Sequence, residues 1–293
     1  MSPTTLAARS SFPALVLLRR ARSSANRSRG ALPPPNISSS NSPFVAALIF
    51  ARYMGRGWVP GMVVRIQGDE FWHMTRVLRL GVDDRVELFN GTGGLVEGSI
   101  QRIDKTGSEI VVLEDTKTIT PQGVQWHVFA AFGTLKGGRA DWLIEKCTEL
   151  GASSVTPLLT ERSHTIGENR VDRLQRVIFA AVKQCQRLHE MTLNPPMNIS
   201  SFLPIVAQSK LSFLAAAEAT PLFHVLPNLG VEDNGVLIVG PEGDFTEEEV
   251  KAMKEAGAIP VGLGPHRLRV ETATISLLSA LMLWSDAQKA ETQ

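Results

Sequence analysis

Residues 235–274 read GVLIVGPEGDFTEEEVKAMKEAGAIPVGLGPHRLRVETAT, and the fold follows from this stretch. Val236 to Val239 is a short apolar run ending in Gly-Pro-Glu-Gly. After it, Asp244, Thr246 and three consecutive glutamates open a helical pattern with Val250 and Met253 on one face. The unit repeats at once: Ile259 to Leu263 is a second apolar run, Gly264-Pro265 follows, and Glu271-Thr272 opens a long apolar helix reaching Trp284. Two successive strand-loop-helix units predict an α/β domain with parallel strands and glycine loops at their carboxyl ends, where open α/β sheets bind ligands.

Neither GPEGDF nor GLGPHR supplies a Walker lysine or a G-x-G-x-x-G series, so a phosphate cradle is disfavoured. Gly240, Gly243 and Gly264 free the backbone, Pro241 and Pro265 stiffen it, and the amides and carbonyls left exposed suit a neutral or cationic ligand.

Upstream, Val63 to Ile66 alternates as a strand. Glu70 to Leu80 is an amphipathic helical segment, and Arg85 to Phe89 runs through Asn90-Gly91 into Leu95 to Ile103, a hairpin signal. In Gly91-Thr92-Gly93-Gly94, Val96 stands where a third fingerprint glycine belongs, so this is a turn. Pro121-Gln122-Gly123 marks a boundary. Beyond it come a buried-type strand, Trp126 to Phe132, and a basic Gly-rich loop, Lys136 to Arg139. A helix from Ala140 to Leu150 is stopped by Gly151, and a strand runs from Ser154 to Leu159. Val171 to Leu188 is an amphipathic helix and Leu211 to Ala217 the next strand, ending in Glu218-Ala219-Thr220-Pro221.

Three separated motifs, KGGRADWLIEKCTELGASSVTPLLTERS (136–163), GPEGDFT (240–246) and LGPHRLRVETA (263–273), resemble the RsmE family of 16S ribosomal RNA 3-methyluridine methyltransferases, in the SPOUT superfamily. The resemblance spans roughly Val63 to Trp284. It implies a SPOUT trefoil-knotted α/β domain over 121–293, preceded by a small PUA-like β-barrel that holds RNA over 44–120. It also implies S-adenosyl-L-methionine as cofactor, small-subunit ribosomal RNA as substrate, and a homodimer whose interface helps form the site. Carried onto this sequence, the cofactor positions are Glu218, Gly240, Pro241, Glu242, Gly243, Leu263, Gly264, Leu268, Glu271, Thr272 and Ala273. Lys136, Arg139, Arg162, Lys183 and Arg187 are the basic groups that would position RNA phosphates; His73, Arg76 and Arg79 are candidate contacts on the barrel. Asp244 sits where the family commonly has glycine and reads as an N-terminal helix residue. The family opens its barrel with an Arg-x-Phe strand, which Pro43 to Pro60 does not match. That opening is absent or altered, or Arg52-Tyr53 stands in for it.

Methyl transfer from a sulfonium needs alignment and exclusion of water rather than a metal. Uracil N3 carries a proton at neutral pH, so the enzyme must favour the deprotonated base; a nearby fixed cation is the simplest way to lower its pKa, and Arg269, beside the Glu271-Thr272 helix start, is the first candidate catalytic residue. Its alternative role is a salt bridge to Glu271 that shapes the loop. A non-catalytic RNA-binding or ribosome-assembly factor, and a SPOUT methyltransferase acting on another RNA, are the rival readings.

Of 30 Lys and Arg, nine arginines precede Asp69, the first acid; the remaining 21 face 29 acids, a formal −8. An RNA partner therefore meets a local basic patch, not a basic protein. Residues 1–43 are Arg- and Ser-rich, acid-free and carry Pro33-Pro34-Pro35, the composition of an organellar transit peptide; a chloroplast is the first expectation, a mitochondrion the alternative. Phe44 to Ala51 is too short to span a bilayer, and no other run approaches about twenty apolar residues, so no membrane segment is expected. Cys147 and Cys185 show no zinc spacing and read as buried reduced thiols.

Overall fold

The computed structural model describes residues 45–51, 57–136, 138–163, 167–230 and 232–290. The leader and Arg52-Tyr53 lie outside the described residues.

The first sheet is a small barrel-like layer. Its elements are β1 (Val45–Phe50), β2 (Val63–Ile66), α1 (Gly68–Trp72) running into a π-helical turn His73–Val77, β3 (Arg85–Phe89), β4 (Gly94–Ile103), β5 (Ser108–Val112) and β6 (Lys117–Thr118). The strand order is β1-β3-β4-β5-β2, with β6 on β4. The β3/β4 hairpin forms where Asn90-Gly91 predicts it. Asn90 Oδ1 accepts from the amides of Thr92 and Gly94, both at 2.9 Å, and so fixes the turn without a partner strand.

β1 is a finding that the Arg-x-Phe expectation does not anticipate. It pairs parallel to β3, with Ile49 opposite Leu88 and Phe50 opposite Phe89. Ile49 packs into the barrel core and Phe50 into the core of the following domain, so both faces of the strand are covered. Burial on both faces explains why the run is continuously apolar rather than alternating.

The second layer carries β7 (Gln125–Ala130), α2 (Arg139–Glu149), β8 (Ser154–Leu159), α3 (Glu168–Cys185), β9 (Thr192–Leu193), β10 (Met197–Asn198), α4 (Ile199–Gln208), β11 (Ser212–Ala215), α5 (Leu222–Val225), β12 (Asn234–Val239), α6 (Glu247–Glu255), β13 (Ile259–Val261) and α7 (Val270–Ala290). The order is β10-β8-β7-β12-β11-β13, with β9 on β8, and every pairing is parallel. Successive residues of the central strands serve opposite cores. Val128, Leu237 and Val239 join the cluster holding Leu143, Ile178 and Leu278, whereas Phe129 and Ile238 join Phe202, Val206 and Met253. Burying such a side chain contributes about 1.5–3 kcal/mol, and helices on both faces explain the unbroken apolar runs. Thr246 and Glu249 close a reciprocal capping box that starts α6, and the second Glu249 oxygen accepts the Glu161 amide at 3.1 Å, tying the end of β8 to that helix.

β13 is shorter than the predicted 259–263 run because Gly262 leaves the ladder: its amide donates to Thr220 O at 2.8 Å and its carbonyl accepts from Leu222 at 3.0 Å. The chain then returns from the sheet edge, and α7 packs against β7 and β12. Among the described residues no helix is long and apolar enough to cross a membrane. Cys147 and Cys185 are free thiols, Cys147 fully buried.

Candidate functional site

The carboxyl ends of β11, β12 and β13 open into one cleft. Its lining comes from three loops: Ala215, Ala216 and Ala217; Val239 to Glu242 with Asp244; and Leu263, Gly264, His266 to Leu268, Val270 and Ala273. The loops are held by close backbone approach. A Cβ at Gly262 would stand 2.6 Å from Ala219 O, and one at Gly240 would meet the Phe245 ring at 2.9 Å, so both positions admit only hydrogen without displacement. Gly264 adopts φ +117°, which residues with a Cβ rarely take. Asp244 is not in a helix: it sits at φ +61° in a turn where its amide donates to Pro241 O at 2.9 Å, and α6 begins later, at Glu247. The left-handed conformation is the physical reason glycine suits this position, and aspartate is among the residues that tolerate it.

Arginines from three segments lock the Gly-Pro-Glu-Gly loop. Arg139, at the start of α2, pairs with Glu242 at 2.6 Å and lies 3.6 Å from Glu271 Oε1. Arg162 donates to Gly243 O at 2.6 Å. Arg267 donates to Glu242 O at 2.9 Å and reaches Asp244 at 3.4 Å. The Glu242 hydrogen bond foremost, with Glu271 adding attraction, raises the Arg139 pKa against desolvation. Glu271 is 7% exposed and its Oε2 has no hydrogen-bond partner, so this carboxylate relies on Arg139 for its compensation.

Of the positions expected to hold a cofactor, Gly240, Pro241, Glu242, Leu263, Gly264, Leu268 and Ala273 line the cleft. Glu218 is exposed just past Ala217, Thr272 is exposed on α7, and Glu271 stands behind Arg139. Gly243 is not among the lining residues, and a Cβ there would meet the Arg162 side chain at 3.4 Å. Arg269 is exposed, between the lining residues Leu268 and Val270. Unlike Arg139, Arg162 and Arg267 it has no side-chain partner among the described residues, so it forms no salt bridge to Glu271. Lys136 is exposed in the loop before α2.

Lys183 and Arg187 are not brought to the cleft. Helices of a parallel α/β sheet run against the strands, so the end of α3 lies at the strands' amino ends, away from the cleft. Arg187 donates to Thr148 O at 3.1 Å and Gly151 O at 3.2 Å, closing the carboxyl end of α2. Lys183 pairs with Glu70 at 3.4 Å and lies 5.6 Å from the Phe50 ring centroid, joining the two layers.

His266, Arg267 and the alanine run were not singled out from sequence. The small residues Ala215 to Ala217 at a strand's carboxyl end were the available signal, since a ligand approaching backbone needs no side chain in its way. Among the described residues no group of three or more His, Cys, Asp or Glu is arranged to hold a metal ion.

The RNA methyltransferase domain family matches residues 122–282, which enclose every loop of the cleft, and the RNA methyltransferase PUA domain family matches residues 66–113. The Ribosomal RNA small subunit methyltransferase E of Bacillus subtilis is 26% identical over 229 residues, covering 74% of this chain and 88% of that protein. Its namesake in Synechocystis is 29% identical over 211 residues, 70% and 68% of the two chains. A methyltransferase structure from Legionella pneumophila in complex with the bound cofactor SAM superimposes with a TM-score of 0.66 at 26% identity, covering 82% of this chain and 98% of that one.

Proposed function

This chain belongs to the RNA methyltransferase family, and from that premise we propose that it methylates N3 of a specific uridine in the small-subunit, 16S-type ribosomal RNA of an organelle, using S-adenosyl-L-methionine. The observation that carries this reading is the three-loop cleft, together with the family match that encloses it.

The residues present fit the cofactor. The alanine run, Gly240 and Gly264 leave backbone groups accessible, and Val239, Leu263 and Leu268 supply apolar walls for an adenine. Arg267, the lining side chain that is always charged, is already engaged by Glu242 O and Asp244, and Glu242 adds a carboxylate. That balance suits a cationic, phosphate-free ligand. When bound, S-adenosyl-L-methionine supplies an electrophilic methyl group on a sulfonium.

The chain's own residues then have separable tasks. Arg139, Arg162 and Arg267 hold the 240–244 loop, so that alignment is fixed before substrate arrives. Arg269 keeps an uncompensated charge at the cleft edge and favours the N3 anion of the uracil. Lys136 adds an exposed cation for a phosphate. The crossing of Gly262 against Thr220 and Leu222 is where the knot implied by the resemblance would be tied. A homodimer is supported by apolar side chains left on the surface, Leu283 at 73% and Phe223 at 68% exposure. The acid-free leader supports import, with the chloroplast ahead of the mitochondrion.

The test is methyl transfer from labelled cofactor to small-subunit RNA, naked and within assembled subunits, followed by mapping of the product nucleotide. Label at a uridine N3 is expected. Cofactor binding without turnover would make the chain a binder, and label on transfer RNA or a ribose hydroxyl would reassign the substrate.

A further inference from the structure

Asp244 lines the cleft at φ +61°, a left-handed conformation that glycine takes without strain and that is less favourable for a residue with a Cβ. Nothing in the scaffold calls for an acid there. Asp244 does not cap α6, because Thr246 is the N-cap and closes the capping box with Glu249. Its amide donates to Pro241 O at 2.9 Å, a bond that any residue other than proline makes. Its carboxylate meets Arg267 at 3.4 Å, but the two side chains are 69% and 70% exposed, and an ion pair that open to water contributes little to stability.

The carboxylate does change the charge of the cleft. Glu242, Asp244 and Arg267 all line it. Glu242 is matched by Arg139 at 2.6 Å, which leaves Arg267 as the lining guanidinium and Asp244 as its counter-charge. Arg267 does not depend on Asp244 for its place, since it also donates to Glu242 O at 2.9 Å. Removing the Asp244 charge would therefore leave the guanidinium in the cleft without its counter-ion.

We propose that Asp244 is a specificity-determining residue: by neutralising Arg267 it lets the cleft favour the sulfonium of S-adenosyl-L-methionine over the neutral thioether that remains after methyl transfer. The inference rests on the reading of this cleft as the cofactor site and deepens it. The sulfur keeps the electron pair of the broken S–C bond, so the two forms of the cofactor differ by one methyl group and one positive charge. The apolar walls, Val239, Leu263 and Leu268, serve both forms alike, and the charge is the feature by which a site can tell them apart. With an unbalanced Arg267 the same cleft would hold the spent cofactor in preference, and turnover would be limited by product.

The experiment is calorimetric titration of the full chain with S-adenosyl-L-methionine, with S-adenosyl-L-homocysteine, and with sinefungin, which carries an amine in place of the sulfonium methyl. Asp244→Asn keeps the side-chain size and tolerates the left-handed conformation. It should weaken binding of S-adenosyl-L-methionine by about three- to tenfold at low salt, the range for unit charges several ångströms apart in a solvated site, and leave S-adenosyl-L-homocysteine within about twofold. Sinefungin should follow the sulfonium ligand, and the difference should shrink in about 1 M salt. Asp244→Gly should shift the ratio in the same way while Tm stays level or rises as strain is relieved, a combination that a purely structural role does not produce. Adding Arg267→Gln, which keeps an N–H donor but no charge, to Asp244→Asn should restore the original ratio. Equal weakening of all three ligands would make Asp244 a loop-shaping residue and overturn the inference. An unaltered ratio, or a double variant that fails to restore it, would overturn it as well. If the unaltered chain binds none of the three ligands, the cofactor reading falls and the inference with it.

Discussion

Gly262→Ala tests the packing on which the cleft depends. The added methyl would stand 2.6 Å from Ala219 O, 3.5 Å from Ala219 C and 3.6 Å from Thr220 O, and none of these is a flexible side chain that can swing away. The 219–222 backbone must therefore retreat by several tenths of an ångström. The hydrogen bonds Gly262 N to Thr220 O (2.8 Å) and Leu222 N to Gly262 O (3.0 Å) lie in the same crossing and stretch with it. Overpacking of a tight site costs about 1–3 kcal/mol, and weakening two hydrogen bonds adds roughly 1 kcal/mol. The sum, about 2–4 kcal/mol, corresponds to a fall in Tm on the order of 4–16 °C for a chain of this size. Cofactor affinity should fall with it, because the loops on both sides of the crossing line the cleft. Differential scanning calorimetry and titration with S-adenosyl-L-methionine measure the two effects. Wild-type Tm and affinity in Gly262→Ala would refute the claim that the loops touch backbone to backbone here.

Arg269→Ala should lower turnover by a factor on the order of 10² to 10³ with little change in cofactor affinity, and raising the pH should partly restore its rate because more uracil is then deprotonated unaided. Normal turnover would move the charge stabilisation to another residue. Arg187→Met should cost roughly 1–2 kcal/mol in denaturant unfolding by removing the donor to Gly151 O and one of the two donors to Thr148 O, which keeps the Gly151 amide, while the salt slope of RNA binding stays unchanged; a changed slope would return Arg187 to the RNA surface. Burial, with the nearby Arg187 charge, holds the His189 ring below its ordinary 6.5. Its neutral form is therefore favoured by folding, and its contribution is complete above pH 6.5 and declines as pH falls below that value. His189→Gln should flatten the acid side of the Tm profile. Burial pushes the Cys147 thiol up to about 12, so iodoacetamide should label it only after unfolding, as peptide mass spectrometry would report.

The two strand-loop-helix units, the hairpin at Asn90-Gly91 and the Thr246–Glu249 box were legible because each depends on residues a few positions apart. The repeat of the strand-loop-helix unit gave the parallel strands for a similarly local reason, whereas the covering of both faces, which accounts for the unbroken apolar runs, is seen in the two cores of the fold. Opaque to sequence was the strand order that inserts β12 between β7 and β11. That order brings Arg139 to Glu242 across 103 residues and Arg162 to Gly243 across 81. The glycines make the same point. Gly243, in the conspicuous motif, faces the Arg162 side chain, whereas Gly262, which the motif does not single out, is pressed against the Ala219 carbonyl. Which glycine must lack a side chain depends on what lies opposite, and that is set by chain segments far away in sequence. Lys183 and Arg187 were legible as a basic edge of a helix, but their partners, Glu70 of the barrel and the carbonyls ending α2, come from other elements. Short-range periodicity and capping thus determined the elements and the end of the sheet at which a site would lie. Long-range packing alone decided which charges are spent on the scaffold and which, like that of Arg269, remain uncompensated at the cleft.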